Sequence, residues 1–167
     1  RVYEPDDAWS ARNLVAEAGD AALHAYRRVY PALAPEPCAL DELDLEQALD
    51  AAQLVIVHEW SAPELVRRIG AHRRSHGGYR LLFHDTHHRM LTAPEEVAAF
   101  DLTAYDGVLA FGEVLRERYA ALGWGRRAFT WHEAADTQVF FPRPRRRRGG
   151  TLVWVGNFGD DERRREL

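Results

Sequence analysis

Short apolar runs alternate with amphipathic stretches from the middle of the chain onward, and this alternation predicts the fold class. The runs are rich in β-branched or aromatic residues, which is typical of strands buried on both faces of a sheet. The predicted strands are residues 53–57, 79–83, 107–111 and 127–131. Between them, apolar positions recur at helical spacing in residues 63–76, 94–100 and 113–122. This alternation indicates an α/β protein with a parallel sheet flanked by helices on both faces.

The two ends of the chain show other patterns. Residues 6–30 predict two helices separated at Gly19, and residues 44–52 predict a short third helix. The opening residues resemble the end of a β-strand, and residues 160–167 resemble the first turn of a helix. We therefore expect the sequence to be an internal piece of a longer chain.

A stretch of arginine, proline and glycine, residues 142–150, separates two predicted domains. Its charge would suit a nucleic-acid or membrane patch, but no aromatic residue lies among its arginines for base stacking. An interdomain linker is therefore the better interpretation. The predicted organisation is an N-terminal domain at 1–141, this linker, and the start of a second domain at 151–167, which opens with a strand at 151–155.

Net charge, cysteine content and the length of the apolar runs exclude several classes of protein. The chain has 22 Lys+Arg against 26 Asp+Glu, a net charge of −4, which argues against binding nucleic acid through bulk charge. A single cysteine, Cys38, excludes an internal disulfide and a cysteine-based zinc site. The apolar runs are far shorter than the roughly 20 residues of a membrane-spanning helix. We expect a cytoplasmic protein with no nucleic-acid partner and no integral membrane segment.

Titratable side chains collect directly after the predicted strands. The carboxyl ends of parallel strands share one edge of the sheet, where α/β proteins bind their ligands. A sheet with a purely structural role does not need so many polar groups at one edge. The candidate site residues there are His58, Glu59, His84, Asp85, His87, Arg89, Glu113, His132 and Glu133.

The loop at residues 84–89 is the densest of these groups. Its imidazoles and carboxylate can supply a general base, and its arginine can bind a phosphate or carboxylate. Metal binding by the loop, or ordinary hydrogen bonding within it, are the alternatives. The other candidates have structural alternatives: helix capping for His58 and Glu59, a first-turn helix carboxylate for Glu113, and a polar turn for residues 132–133.

A glycine-containing turn follows the predicted strand at 151–155. Gly156 and Asn157 stand there, before the predicted start of a helix. Free backbone N–H groups and the helix dipole favour an anion such as phosphate, and a glycine lets the ligand approach the backbone closely. A plain strand-to-helix turn is the alternative.

Four segments carry a family resemblance: HDTHHR (84–89), AFGEVLRERY (110–119), WHEAADTQVF (131–140) and LVWVGNFGDDER (152–163). Residues 136–142 also match the pattern D-x-x-x-F-x-P, which precedes the domain crossing in many glycosyltransferases of the GT-B fold. In combination the segments resemble the CgeB-like, spore-maturation-type bacterial glycosyltransferases. The resemblance spans roughly residues 53–167 and is looser over the preceding part of the chain.

The resemblance implies two Rossmann-like domains that face each other across a cleft. The N-terminal domain would bind an acceptor, which stays unknown, and the C-terminal domain a nucleotide-sugar donor, usually without a bound metal and with no other cofactor. By this analogy His84, Asp85 and His87 line the acceptor side as catalytic candidates. Gly156 and Asn157 would lie beside the donor phosphates.

The resemblance also implies that residues 1–3 belong to the second strand, so that a first, central strand and most of the second domain are missing. We therefore expect the piece alone to be inactive, and poorly soluble because the absent strand exposes an apolar sheet edge. Two other hypotheses stay open at this point. One is a metal-dependent hydrolase that uses the loop at 84–88, and the other is a non-catalytic α/β binding module.

Overall fold

The computed structural model describes residues 1–33, 35–137, 140 and 141 of the 167-residue chain. The chain divides into two compact units, Arg1–Glu133 and Ala134–Leu167, and the elements below belong to the first. The predicted linker at 142–150 and the predicted second domain at 151–167, with Gly156 and Asn157, lie outside the described residues. The predicted domain boundaries therefore stay predictions.

Six strands and seven α-helices form the first unit as it is described. The strands are β1 (Tyr3–Pro5), β2 (Glu36–Cys38), β3 (Leu54–His58), β4 (Arg80–Asp85), β5 (Gly107–Ala110) and β6 (Ala128–Thr130). The helices are α1 (Trp9–Ala18), α2 (Asp20–Val29), α3 (Leu45–Ala48), α4 (Pro63–His76), α5 (Arg89–Thr92), α6 (Pro94–Ala98) and α7 (Glu113–Tyr119). None of these helices combines the length and apolarity that a bilayer span requires.

Strands β3 to β6 form a four-stranded sheet in chain order, and every neighbouring pair is parallel. This confirms the predicted α/β class with a parallel, Rossmann-like sheet. Strands β1 and β2 form a separate parallel pair. Because all strands of the larger sheet run the same way, the residues that follow them meet at one edge, which we call the carboxyl edge.

The helices between these strands pack on one face of the sheet, whereas the alternation predicted helices on both faces. Connections between parallel strands are right-handed, so a sheet whose strands follow one another in chain order receives its crossover helices on the same face. The core accordingly joins Val66 of α4, Val97 of α6 and Leu115 of α7 to Phe83 and Val108 of the sheet. On the opposite face, the side chains of Ile56 and Phe129 are exposed.

Strand β4 extends two residues beyond its predicted end at Phe83. The apolar pattern stops at Phe83, but His84 pairs with His58 of β3 and Asp85 pairs with Ala110 of β5. Pairing on both sides keeps the two polar residues in the strand. Since side chains alternate along a strand, His84 and Asp85 point to opposite faces of the sheet.

Helix α4 has the bounds that its sequence predicts. Pro63 stands in its first turn, where a missing N–H costs nothing, and Gly77 ends it with φ of +63°, a left-handed conformation that glycine adopts without strain. The helix leads from the carboxyl edge back to the opposite, amino edge, where β4 begins.

A cavity of about 680 Å³ lies between the small sheet and the larger one. Tyr3 of β1 lines one side of it and Ile56 of β3 the other. The further central strand that the family resemblance implies stays a prediction.

Candidate functional site

Two histidines lie side by side at the carboxyl edge. His58 ends β3, and its register partner is His84 of β4, so their ring centroids are 5.2 Å apart in an edge-to-face arrangement. Both side chains are half-buried. His58 Nδ1 accepts a hydrogen bond from the backbone N–H of Trp60 (3.3 Å), which leaves the hydrogen of the neutral ring on Nε2. The ring of Trp131, just after β6, lies 5.5 Å from that of His84.

Burial lowers the pKa of His84, and the neighbouring His58 lowers it further, while Glu133 and Asp85 partly oppose the shift. The ordinary value for histidine is about 6.5, so His84 is neutral at pH 7 and can accept a proton. The unfolded chain takes up this proton near pH 6.5 and the folded chain only at lower pH. This group therefore contributes stability at neutral pH that is lost as the pH falls below about 6.5.

Asp85 faces the helices instead of the histidine pair. Its side chain is 2% exposed, and it accepts hydrogen bonds from Tyr119 Oη (2.8 Å) and from the backbone N–H of His87 (3.1 Å). Burial raises the pKa of the Asp85 carboxyl, and burial together with Asp85 raises the pKa of Tyr119. Asp85 therefore holds the turn after β4 in place, and this placement favours His84 over Asp85 as a base that meets solvent.

An ion pair between Glu59 and Arg89 connects the loop after β3 to the loop after β4. The Glu59 carboxylate, only 3% exposed, forms an ion pair with Arg89 and accepts a hydrogen bond from Thr86 Oγ1 (3.0 Å). The Arg89 guanidinium also lies over the Trp60 ring, 4.5 Å from its centroid. The backbone N–H of Glu59 donates to the carbonyl of His84 (3.0 Å). Glu59 and Arg89 thus act on the histidine pair by fixing the loops around it.

His87 and His88 form a second imidazole pair next to Trp60. The ring of His87 is 4.1 Å from that of His88 and 5.4 Å from that of Trp60. Burial lowers the pKa of His87, and His88 lowers it further. His88 Nδ1 lies 2.9 Å from Thr92 Oγ1, one turn along α5.

The remaining candidates lie farther along the same edge. Glu113 begins α7, accepts a hydrogen bond from Thr130 and pairs with Arg116 (2.6 Å), and these two contacts lower its pKa. The ring of His132 lies 6.0 Å from that of Phe111. Glu133 is close enough to raise the pKa of His84. Glu113 therefore bonds to β6 and to its own helix, as a first-turn carboxylate does, and not to the histidine pair.

A cavity of about 480 Å³ opens beside the histidine pair. Glu4 and Pro5 at the carboxyl end of β1 line one side, and His58, Trp60 and Ser61 line the other. The side chain of Trp60 is 65% exposed. The cavity thus combines an open aromatic surface with a few polar groups, which is the usual lining of a small-molecule site.

The loop at 84–88 does not gather a metal site in the part of the chain that the structure describes. Among the described residues, three ligand atoms converge elsewhere, at Glu46, His72 and His76. The rings of His87 and His88 are tilted against each other, and no third ligand atom joins them in the described residues.

Sequence reasoning missed the partners that position the candidate residues. Tyr119 donates a hydrogen bond to Asp85, and Thr86 donates one to Glu59. The Arg89 guanidinium lies over the ring of Trp60. The burial of Tyr119 could have been predicted from the sequence, because Tyr119 lies four residues after Leu115 on the buried side of α7. The contacts of Thr86 and Trp60 depend on the fold of two loops and leave no such pattern.

Comparisons of the chain with protein-family models, with curated proteins and with solved structures find no match. The fold and the carboxyl edge together define an α/β protein with a histidine-rich candidate site.

Proposed function

We propose that the chain is the acceptor-binding part of a glycosyltransferase, which moves a sugar from a nucleotide-activated donor to an acceptor hydroxyl. The observation that carries the proposal is the half-buried pair of His58 and His84 beside an aromatic cavity at the carboxyl edge. The resemblance of four segments to CgeB-like glycosyltransferases supports the same class of reaction.

The histidine pair suits the proton transfer that this reaction requires. The acceptor oxygen forms a bond to the anomeric carbon while the bond from that carbon to the nucleoside diphosphate breaks. The acceptor proton must go to a base, and a neutral imidazole next to the cavity can take it. His58 lines the cavity and would orient the hydroxyl, and His84, whose ring lies 5.2 Å from that of His58, is the base in this proposal.

The surrounding residues suit a carbohydrate acceptor. Sugar rings present C–H groups on one face, and the exposed ring of Trp60 offers an apolar surface for them, while hydroxyls find polar partners in His58 and Ser61. On the donor side, the backbone N–H groups at Gly156 and Asn157 are proposed to stabilise the charge of the leaving diphosphate.

The test is sugar transfer by the protein that carries both predicted domains, with a panel of nucleotide sugars. His84→Gln should lower kcat by about 100- to 10,000-fold, the usual contribution of a general base. The matched control is His24→Gln, which replaces an exposed histidine on α2 and should leave kcat unchanged. Transfer at the wild-type rate by the His84 variant would remove His84 from the mechanism.

A further inference from the structure

Three side chains of metal-ligating type meet at the amino edge of the sheet, away from the histidine pair. Glu46 lies on α3, and His72 and His76 lie one turn apart near the end of α4. Glu46 Oε1 is 2.9 Å from Nε2 of His76 and 3.7 Å from Nε2 of His72. All three ligand atoms lie within 4.8 Å of one another.

Hydrogen bonds engage Nδ1 of each histidine and leave Nε2 on the side of Glu46. Nδ1 of His76 lies 3.3 Å from the backbone carbonyl of His72, and because a carbonyl only accepts, Nδ1 donates. Nδ1 of His72 lies 3.0 Å from Tyr79 Oη, and it donates there when the Tyr79 hydroxyl donates to the Ile69 carbonyl (3.5 Å). With both Nδ1 atoms donating, Nε2 of each ring offers a lone pair on the side that faces Glu46.

This arrangement leaves a buried acceptor unsatisfied. The side chain of His72 is 10% exposed, and its Nε2 is buried with no hydrogen-bond partner in the described part of the chain. When both Nδ1 atoms donate, the two Nε2 lone pairs and the carboxylate oxygen are all acceptors, and none of them satisfies another. Buried polar atoms without partners are rare in folded proteins, and a cation between the three atoms would satisfy all of them.

We propose that Glu46, His72 and His76 bind a divalent transition-metal ion of the Zn²⁺ class. Imidazole nitrogen and carboxylate oxygen are ordinary zinc ligands, and two histidines four residues apart on one helix face can reach the same ion. Metal–ligand bonds of 2.0–2.2 Å in a tetrahedral site separate the ligand atoms by about 3.3–3.5 Å. The observed separations from Glu46, 2.9 and 3.7 Å, lie on either side of that value.

The surroundings of the cluster support this site. The contact of Tyr79 with Nδ1 of His72 is the kind of outer contact that orients metal-ligating histidines. The nearby cation Arg73, which lies over the Tyr79 ring, is paired with Asp106 (3.6 Å). Glu46 and His76 are exposed, so the fourth position of the ion would be open to solvent. A bound ion would link α3 to the end of α4.

The experiment is titration of the metal-free protein with ZnCl₂, followed by calorimetry and by thermal unfolding. The wild-type protein should bind one equivalent, and its Tm should rise with the zinc concentration. Glu46→Gln and His76→Ala change exposed residues and should weaken zinc binding at least about 100-fold, since even outer-shell changes cost 10- to 100-fold. His76→Cys supplies another zinc ligand and should retain binding.

Two control variants and one control ion make the test specific. His24→Ala and Glu17→Gln remove the same residue types from exposed positions on α2 and α1 and should bind zinc as the wild type does. MgCl₂ should not bind, because Mg²⁺ prefers oxygen ligands. The proposal is overturned if zinc binding does not saturate. It is also overturned if Glu46→Gln and His76→Ala keep wild-type affinity, which would place the ion on other histidines.

Discussion

Glu59→Ala is expected to lower the free energy of unfolding by about 3–5 kcal/mol, the usual cost of removing one partner of a buried ion pair. Glu59 is almost fully buried, and its carboxylate is the partner of Arg89 and Thr86. Removing it leaves the Arg89 charge partly buried without that partner, beside the Trp60 ring. Urea unfolding of the two proteins measures the difference.

The chain offers a matched control for this prediction. Glu64 pairs with Arg67 in the first turn of α4, but both side chains are more than half exposed. Exposed ion pairs contribute little to stability, so Glu64→Ala should unfold close to the wild-type midpoint. The double variant Glu59→Ala/Arg89→Met should regain part of the lost stability, because it removes a partly buried guanidinium whose remaining carboxylate partner, Glu96 at 3.6 Å, is exposed. Equal losses in the two single glutamate variants would contradict the buried ion pair.

Phe83→Ala is expected to lower the free energy of unfolding by about 3–5 kcal/mol, as truncation of a buried phenylalanine does. Phe83 lies in the middle of β4 with no exposed surface, and its ring contacts Phe100 and Tyr105 at centroid distances of 5.1 and 6.1 Å. The alanine would leave a cavity between the sheet and its helices. Thermal and urea unfolding together give the difference.

Phe129→Ala is the control for the other face of the sheet. Phe129 lies on β6, where half of its side chain is exposed, so its truncation should cost about 1 kcal/mol or less. If Phe129→Ala destabilises the protein as much as Phe83→Ala, both faces of the sheet are packed, contrary to the structure.

The sheet could be predicted because its strands are short and apolar, but the predicted burial on both faces was wrong for β3, where Leu54 and Ile56 are exposed. A run such as residues 54–57 allows few other structures between polar flanks, and α4 is bounded by the strongest local signals, Pro63 and Gly77. The end of β4 could not be predicted. His84 and Asp85 are polar, and only their pairing with the two neighbouring strands keeps them in the sheet.

The location of the candidate site could be predicted, but the contacts among its side chains could not. Parallel strands bring the residues that follow them to one edge whatever the loops do, which is why His58 and His84 meet. The burial of Asp85 against Tyr119, and the pairing of Glu59 with Arg89, depend on how separate loops pack, and no local pattern encodes that. The spacing of His72 and His76 was visible in the sequence, whereas Glu46 joins them only in the fold.

An NMR pH titration of the His84 ring in the wild type and in His58→Gln tests the histidine pair directly. His84 should titrate below the ordinary histidine pKa of about 6.5, and its pKa should rise when the neighbouring imidazole is removed. His24→Gln should leave the titration unchanged. An ordinary pKa for His84 that does not respond to His58→Gln would show that the two rings do not share a half-buried site, and would contradict the proposed acceptor site.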